Sequence, residues 1–166
     1  NYAALSGNLF MFTYLLSIKK EDGTPLLVPR NDTLYEAANS WSLPIFNHLL
    51  SLTDADGAPL LVPSQNTLDL VACSGSLPAL LHLLSLKKAD GKPLLKPDKG
   101  TLYSAAKSGC LPMLQHLLSL TDADGEPLLK PCTQTLEGAA ISGSLPMLTH
   151  LLSLTDVDDS PLLIPN

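Results

Sequence analysis

The chain has 166 residues, a formal net charge of −6, 45% hydrophobic residues and only 5% aromatic ones. That hydrophobic share excludes a disordered chain, which requires low hydrophobicity and high net charge. Sixteen acidic residues against ten basic ones argue against a nucleic-acid partner, because phosphate binding relies on clustered Lys and Arg.

Residues 1–32 open the chain as a unit that lacks its first two positions, since Ala3-Ala4 matches Ala37-Ala38 further on. Four complete or nearly complete units follow, at 33–66, 67–100, 101–134 and 135–166. Thr-Leu recurs every 34 residues from Thr33 to Thr135, and Leu-Pro from Leu43 to Leu145. His-Leu-Leu-Ser-Leu begins at His48, His82, His116 and His150, and Pro-Leu-Leu-x-Pro at Pro25, Pro59, Pro93, Pro127 and Pro161. Self-similarity at a fixed period of this size is the signature of a solenoid. The 39 leucines are therefore copies of a few scaffold positions.

Within one unit, Thr101 is placed to N-cap a short helix, in which Leu102, Ala105 and Ala106 form one apolar stripe. Gly109 supplies the left-handed residue that ends it. A second helix starts near Leu111, with Pro112 in its first turn, and Met113, Leu114, Leu117, Leu118 and Leu120 make its apolar face. Asp124-Gly125 marks a tight turn. Pro127-Leu128-Leu129-Lys130-Pro131 is then extended, because Pro restricts itself and the residue before it. Helices this short are marginal alone, so stacking of units must stabilise them.

The run from Thr101 to Leu118, with Ala-Ala-x-x-Gly-x-Leu-x-x-hydrophobic-x-x-Leu-Leu, resembles the ankyrin repeat. It departs from that family in its 34-residue period, in Thr-Leu-x-x-Ala-Ala where the family has Thr-Pro-Leu-His, and in the Pro-Leu-Leu-x-Pro arm. The resemblance implies an all-α fold, an α-solenoid of five stacked helix-turn-helix units joined by extended arms or hairpins. Tetratricopeptide repeats share the period, but their longer helices leave no room for the arm. The uncharged run Leu70–Leu86 is broken by Ser74-Gly75-Ser76-Leu77-Pro78, so it reads as two short helices rather than a membrane span.

Few groupings suit catalysis or metal. The four histidines sit one repeat apart, too far to share a metal ion, which needs ligands about 2 Å from one centre. They read as structural residues bonding a neighbouring backbone group, with Tyr14 in their place in the first unit. Asp54-Ala-Asp56-Gly57 and Asp122-Ala-Asp124-Gly125 lack the glycine and glutamate spacing of a calcium loop and read as Asx turns. Cys73, Cys110 and Cys132 occupy three different slots and form no Cys-x-x-Cys pair, which suits a reducing compartment without zinc or disulfides. Ser40, Ser74, Ser108 and Ser142 recur as scaffold positions would. The expectation is a non-enzyme without cofactor or metal.

What differs between units is where the scaffold leaves freedom. In the first helix the third slot reads Asn1, Tyr35, Asp69, Tyr103, Glu137. The fourth reads Tyr2, Glu36, Leu70, Ser104, Gly138, and the seventh Leu5, Asn39, Cys73, Lys107, Ile141. The residues before each Thr-Leu vary as well and include Gln65, Asn66, Lys99, Thr133 and Gln134. Such variability also suits positions that merely meet solvent, but Tyr35 and Tyr103 favour binding, since aromatics are enriched at interface anchors. In ankyrin-like stacks this first-helix face and the adjoining tips form the concave binding surface. The resemblance therefore implies a partner site at Tyr35, Glu36, Asn39, Gln65, Asn66, Asp69, Leu70, Lys99, Tyr103, Ser104, Lys107, Thr133 and Gln134.

Charge is uneven: the units carry 0, −3, +2, −1 and −4 from the N-terminus. The third holds Lys87, Lys88, Lys92, Lys96 and Lys99, a basic band suited to steering an acidic segment or simply to solvation. Trp41 replaces the turn glycine, either packing on the next unit or marking a second contact, and Asp159 replaces a loop glycine. The chain opens inside a helix at Asn1 and stops on an arm at Asn166, and so reads as a fragment of a longer protein. The functional expectation is a monomeric, cytoplasmic module that binds another protein, with neither membrane nor nucleic-acid contact. Alternatives are a targeting module of a larger enzyme or of a bacterial effector acting in a host cell, and an architectural spacer.

Overall fold

The computed structural model describes residues 7–40, 42–155 and 160–163. The expectations placed on Asn1, Tyr2, Ala3-Ala4, Leu5, Trp41, Asp159 and Asn166 lie outside these residues. Among the described residues the chain is all-helical, with nine helices and no strand. They are α1 (Leu9–Ser17), α2 (Asn31–Asn39), α3 (Leu43–Ser51), α4 (Gln65–Ser74), α5 (Leu77–Ser85), α6 (Lys99–Ser108), α7 (Leu111–Leu118), α8 (Thr133–Ser142) and α9 (Leu145–Leu152). No helix among them is long and apolar enough to cross a membrane.

The two helices of each repeat form for the local reasons the sequence offers. Pro stands in the first turn of α3, α5, α7 and α9, where its missing N–H has no partner to lose. After α6, Gly109 takes φ +74° and its N–H closes on the Ala106 carbonyl, the left-handed ending that only glycine adopts without strain.

The role expected of the threonine is corrected. Helix α6 begins at Lys99, and Asp98, not Thr101, is its N-cap. The Asp98 carboxylate accepts from the Thr101 N–H at 3.0 Å, and the Thr101 hydroxyl accepts from the Asp98 N–H at 3.3 Å. This reciprocal box satisfies two of the donors that a helix start leaves unpaired. Thr33, Thr67 and Thr135 accept in the same way from the N–H of Arg30, Ser64 and Cys132. All four threonines are buried, with their hydroxyls so engaged.

The recurring serines have equally local work. The hydroxyls of Ser40, Ser74, Ser108 and Ser142 donate to the carbonyls of Ala37, Val71, Ala105 and Ala139. Three of them, Ser74, Ser108 and Ser142, also accept from the N–H of Ser76, Cys110 and Ser144, where the second helix starts. One side chain thus closes a first helix and fixes the turn into the second.

Each arm is pinched rather than simply extended. Antiparallel bridges join Lys19 to Pro25, Thr53 to Pro59, Lys87 to Pro93, Thr121 to Pro127 and Thr155 to Pro161. In the second repeat the Gly57 N–H donates to the Asp54 carbonyl at 3.1 Å and the Asp54 N–H to the Ala58 carbonyl at 2.8 Å. With Gly57 at φ +81° this is a type I turn closed by a glycine bulge, the usual three-residue hairpin loop. The Asp54 carboxylate caps it, accepting from the N–H groups of Asp56 and Ala58, both at 2.9 Å. Asp122 does the same for Asp124 and Glu126. Where Lys20 and Lys88 stand in the first position, Asp22 and Asp90 take over, each accepting from the N–H two residues on.

The chain divides into two compact units, Asn1–Leu70 and Val71–Asn166, the division falling within α4. In the first, α3 packs against α2 and α1, and Phe12 meets His48 edge-on with ring centres 6.4 Å apart. Leu34, Ala37, Ile45, Phe46 and Leu49 form its buried centre. In the second, α6 lies against α7 and, most extensively, along α8, which packs in turn on α9. Leu102, Ala105, Ala106, Met113, Leu114, Leu117, Ala139, Met147 and Leu151 are buried there.

Candidate interaction surface

Every residue assigned to the partner site falls on a first helix of a repeat: Tyr35, Glu36 and Asn39 on α2; Gln65, Asn66, Asp69 and Leu70 on α4; Lys99, Tyr103, Ser104 and Lys107 on α6; Thr133 and Gln134 on α8. Gln65, Asn66, Lys99, Thr133 and Gln134 are therefore corrected from arm tips to the first turns of helices. The helices begin two residues before the threonine because the residue three before it is the cap.

Exposure sorts these residues. Tyr35 is 44% exposed, and Asn39, Asn66, Lys99, Lys107, Thr133 and Gln134 are exposed as well. Glu36, Gln65, Asp69, Leu70, Tyr103 and Ser104 are half-buried. Gln65 and Asp69 are tied one turn apart, the amide donating to the carboxylate at 3.3 Å.

Tyr103 is the notable departure. A Cβ placed on Gly138 would stand 2.9 Å from the Tyr103 carbonyl oxygen, 3.2 Å from its ring Cδ2 and 3.3 Å from the Ala106 Cβ. The Tyr103 ring thus lies partly over Gly138 and helps pack α6 on α8. Gly138, in a slot grouped with the variable face, is buried.

The histidine position holds the second correction. What recurs is a bond to its main chain: the hydroxyls of Ser51, Ser85, Ser119 and Ser153 donate to the carbonyls of His48, His82, His116 and His150, each at 2.7 Å. Ser17 does the same to Tyr14. These carbonyls lie in the last turns of helices, where backbone partners run short, although those of His116 and His150 also accept from the N–H of Ser119 and Ser153 at 3.1 and 3.2 Å, so the recurring geometry needs the serine rather than the imidazole. Lys87, Lys88, Lys92, Lys96 and Lys99 are all exposed. Lys92 pairs with Asp90 at 3.6 Å, a contact worth at most about 1 kcal/mol in water.

Among the three free cysteines, Cys132 stands at the N-cap of α8. Burial pushes its thiol up, but the N–H groups of Thr135 and Gln134, the Thr135 hydroxyl and the Lys99 ammonium together outweigh that and hold it below the ordinary cysteine value. The thiolate is the reactive form, so Cys132 alkylation in the folded chain is expected to reach half its maximal rate at a lower pH than in the urea-unfolded chain. Iodoacetamide labelling read per cysteine by mass spectrometry checks this. A folded midpoint at or above the unfolded one would contradict it.

Compared with protein-family models, curated proteins and solved structures, the chain matches none.

Proposed function

We propose that the chain is an α-solenoid of five ankyrin-like repeats, a non-enzymatic module that binds another protein through the outward face of its first helices. The observation that carries this reading is the division of labour within each repeat. Threonine, serine and the loop aspartate have their polar atoms engaged in holding the backbone, while the side chains at the third and seventh slots of α2, and the seventh of α6, face outward and differ from unit to unit. A surface whose residues the scaffold does not require, carrying the exposed aromatic Tyr35, is suited to anchoring a partner. The recurring serine hydroxyls are tied to carbonyls, which leaves them ill placed as nucleophiles.

Tyr35→Ala and Lys107→Ala are the informative variants, since neither side chain is needed to pack the helices. Pull-downs from cytosolic extract are expected to retain at least about tenfold less of the captured protein with Tyr35→Ala, the loss typical of an interface anchor, and less with Lys107→Ala. Gln115→Ala, exposed on α7, is expected to capture as the unaltered chain does. Equal capture by all variants would refute the first-helix face as the binding surface.

A further inference from the structure

Between Lys87 and Lys107 the chain carries six lysines against two aspartates, although the whole is acidic. Both aspartates are occupied. Asp98 accepts from the N–H and the hydroxyl of Thr101. Asp90 accepts from the Lys92 N–H and pairs with that lysine's ammonium. The other five lysines are exposed, and no carboxylate of the described residues lies within ion-pair distance of them.

Two of these five share a helix face. Lys99, Tyr103 and Lys107 follow one another at every fourth position of α6, a spacing that puts successive side chains on one side of a helix. At the α-helical rise the two lysines stand about 12 Å apart along the axis, with the half-buried Tyr103 between them. The fold does not call for Lys99. It opens α6, where the helix dipole disfavours a cation, and Asn31, Gln65 and Thr133 fill the same slot in other repeats. On the neighbouring α8 the slot of Tyr103 holds the exposed Glu137, so an anion is favoured along α6 and repelled to its side.

We propose that this stripe binds an acidic stretch of a partner protein, which lies along α6 with one carboxylate on Lys99 and another on Lys107. The proposal rests on the first-helix face being the binding surface, and it names the chemistry of what binds there. In an extended segment two acidic residues four positions apart span about 13 Å, which matches the stripe. A nucleic acid matches it less well, because its charge runs on. The second and last repeats, on either side in the chain, carry −3 and −4 and repel such a polymer.

Fluorescence anisotropy of the full chain with a fluorescein-labelled oligoglutamate of about ten residues, in about 50 mM salt, tests this. The peptide is expected to bind with Kd below about 1 mM. Lys99→Gln and Lys107→Gln are each expected to weaken it at least about twofold, and together at least about fivefold, the scale of exposed charge contacts. Removing the same charge from the hairpin, with Lys87→Gln and Lys88→Gln together, is expected to weaken it by less than about twofold. All four side chains are exposed, and circular dichroism verifies that the variants fold. Absence of binding overturns the proposal, and so does an equal loss with the hairpin variant. Oligothymidylate of the same length binding at least as tightly, with the same dependence on Lys99 and Lys107, overturns it too and makes the partner a phosphate polymer. Tyr35→Ala in the extract pull-down separates the two readings. Capture lost with Tyr35→Ala while the oligoglutamate fails to bind overturns the acidic partner alone, whereas capture unchanged in Tyr35→Ala and Lys107→Ala overturns the face itself.

Discussion

Gly138→Val is expected to cost the folded chain about 3 kcal/mol, near the upper end for overpacking a tight contact. Gly138→Ala is expected to cost about 1 kcal/mol. The second figure is the sharper test because helix propensity points the other way. A glycine inside a helix is about 1 kcal/mol worse than alanine, and Gly138 lies inside α8, so a reading from propensity alone has alanine stabilising. The added Cβ, however, would fall 2.9 Å from the Tyr103 carbonyl oxygen. That atom belongs to the backbone of α6 and cannot swing aside as a side-chain tip can, so the two helices must separate. Urea unfolding followed by far-UV circular dichroism is expected to show a lower midpoint with an unchanged slope. Adding Tyr103→Ala is expected to recover only part of the loss, since it removes the ring at 3.2 Å and leaves the carbonyl. A raised midpoint in Gly138→Ala would mean that α6 and α8 do not approach this closely.

That same contact shows where reading the chain as a string of copies succeeds and where it stops. The start of α7 at Leu111 and the end of α6 at Ser108 were legible because Pro112 and Gly109 act on their own backbone. The turn at Gly57 was legible for the same reason. Thr101 misled by three residues: threonine suits an N-cap, but Asp98 three positions earlier suits it better, and the pair makes a reciprocal box. The spacing Asp-x-x-Thr held that signal. Gly138 and Tyr103 were read as free because their slots vary from repeat to repeat. Variation within the chain marks what the scaffold does not fix, yet it does not separate a side chain in solvent from one fitted to a particular neighbour. Here the tyrosine of one repeat lies over the glycine of the next, a large residue over a missing side chain. Glycine inside a helix was the available clue, since it often marks a close approach. The histidine failed differently. A recurring polar side chain suggests a recurring side-chain bond, but the carbonyl of the same residue has the serine as its partner, and a sequence letter does not distinguish ring from main chain.

Leu114→Ala is expected to destabilise the chain by about 3–4 kcal/mol, and Leu148→Ala by only about 1–2 kcal/mol, within the range for truncating leucine at a fully and a partly buried site. The two residues occupy the same slot, 34 positions apart, in helices of the same length and nearly the same sequence, Leu111–Leu118 and Leu145–Leu152. Leu114 is fully buried and Leu148 half-buried. If each repeat owed its stability to its own two helices, the losses would be equal, because the intrinsic contacts are copies. If stability resides in the contact of a repeat with the one after it, as in nearest-neighbour accounts of repeat arrays, Leu114 forfeits both parts and Leu148 only the first. Urea unfolding of both variants, followed by far-UV circular dichroism, measures the two losses. Equal losses would place the burial of this slot within the repeat itself. Unequal losses of the stated size make the uncovered half of Leu148 a direct measure of what a following repeat contributes.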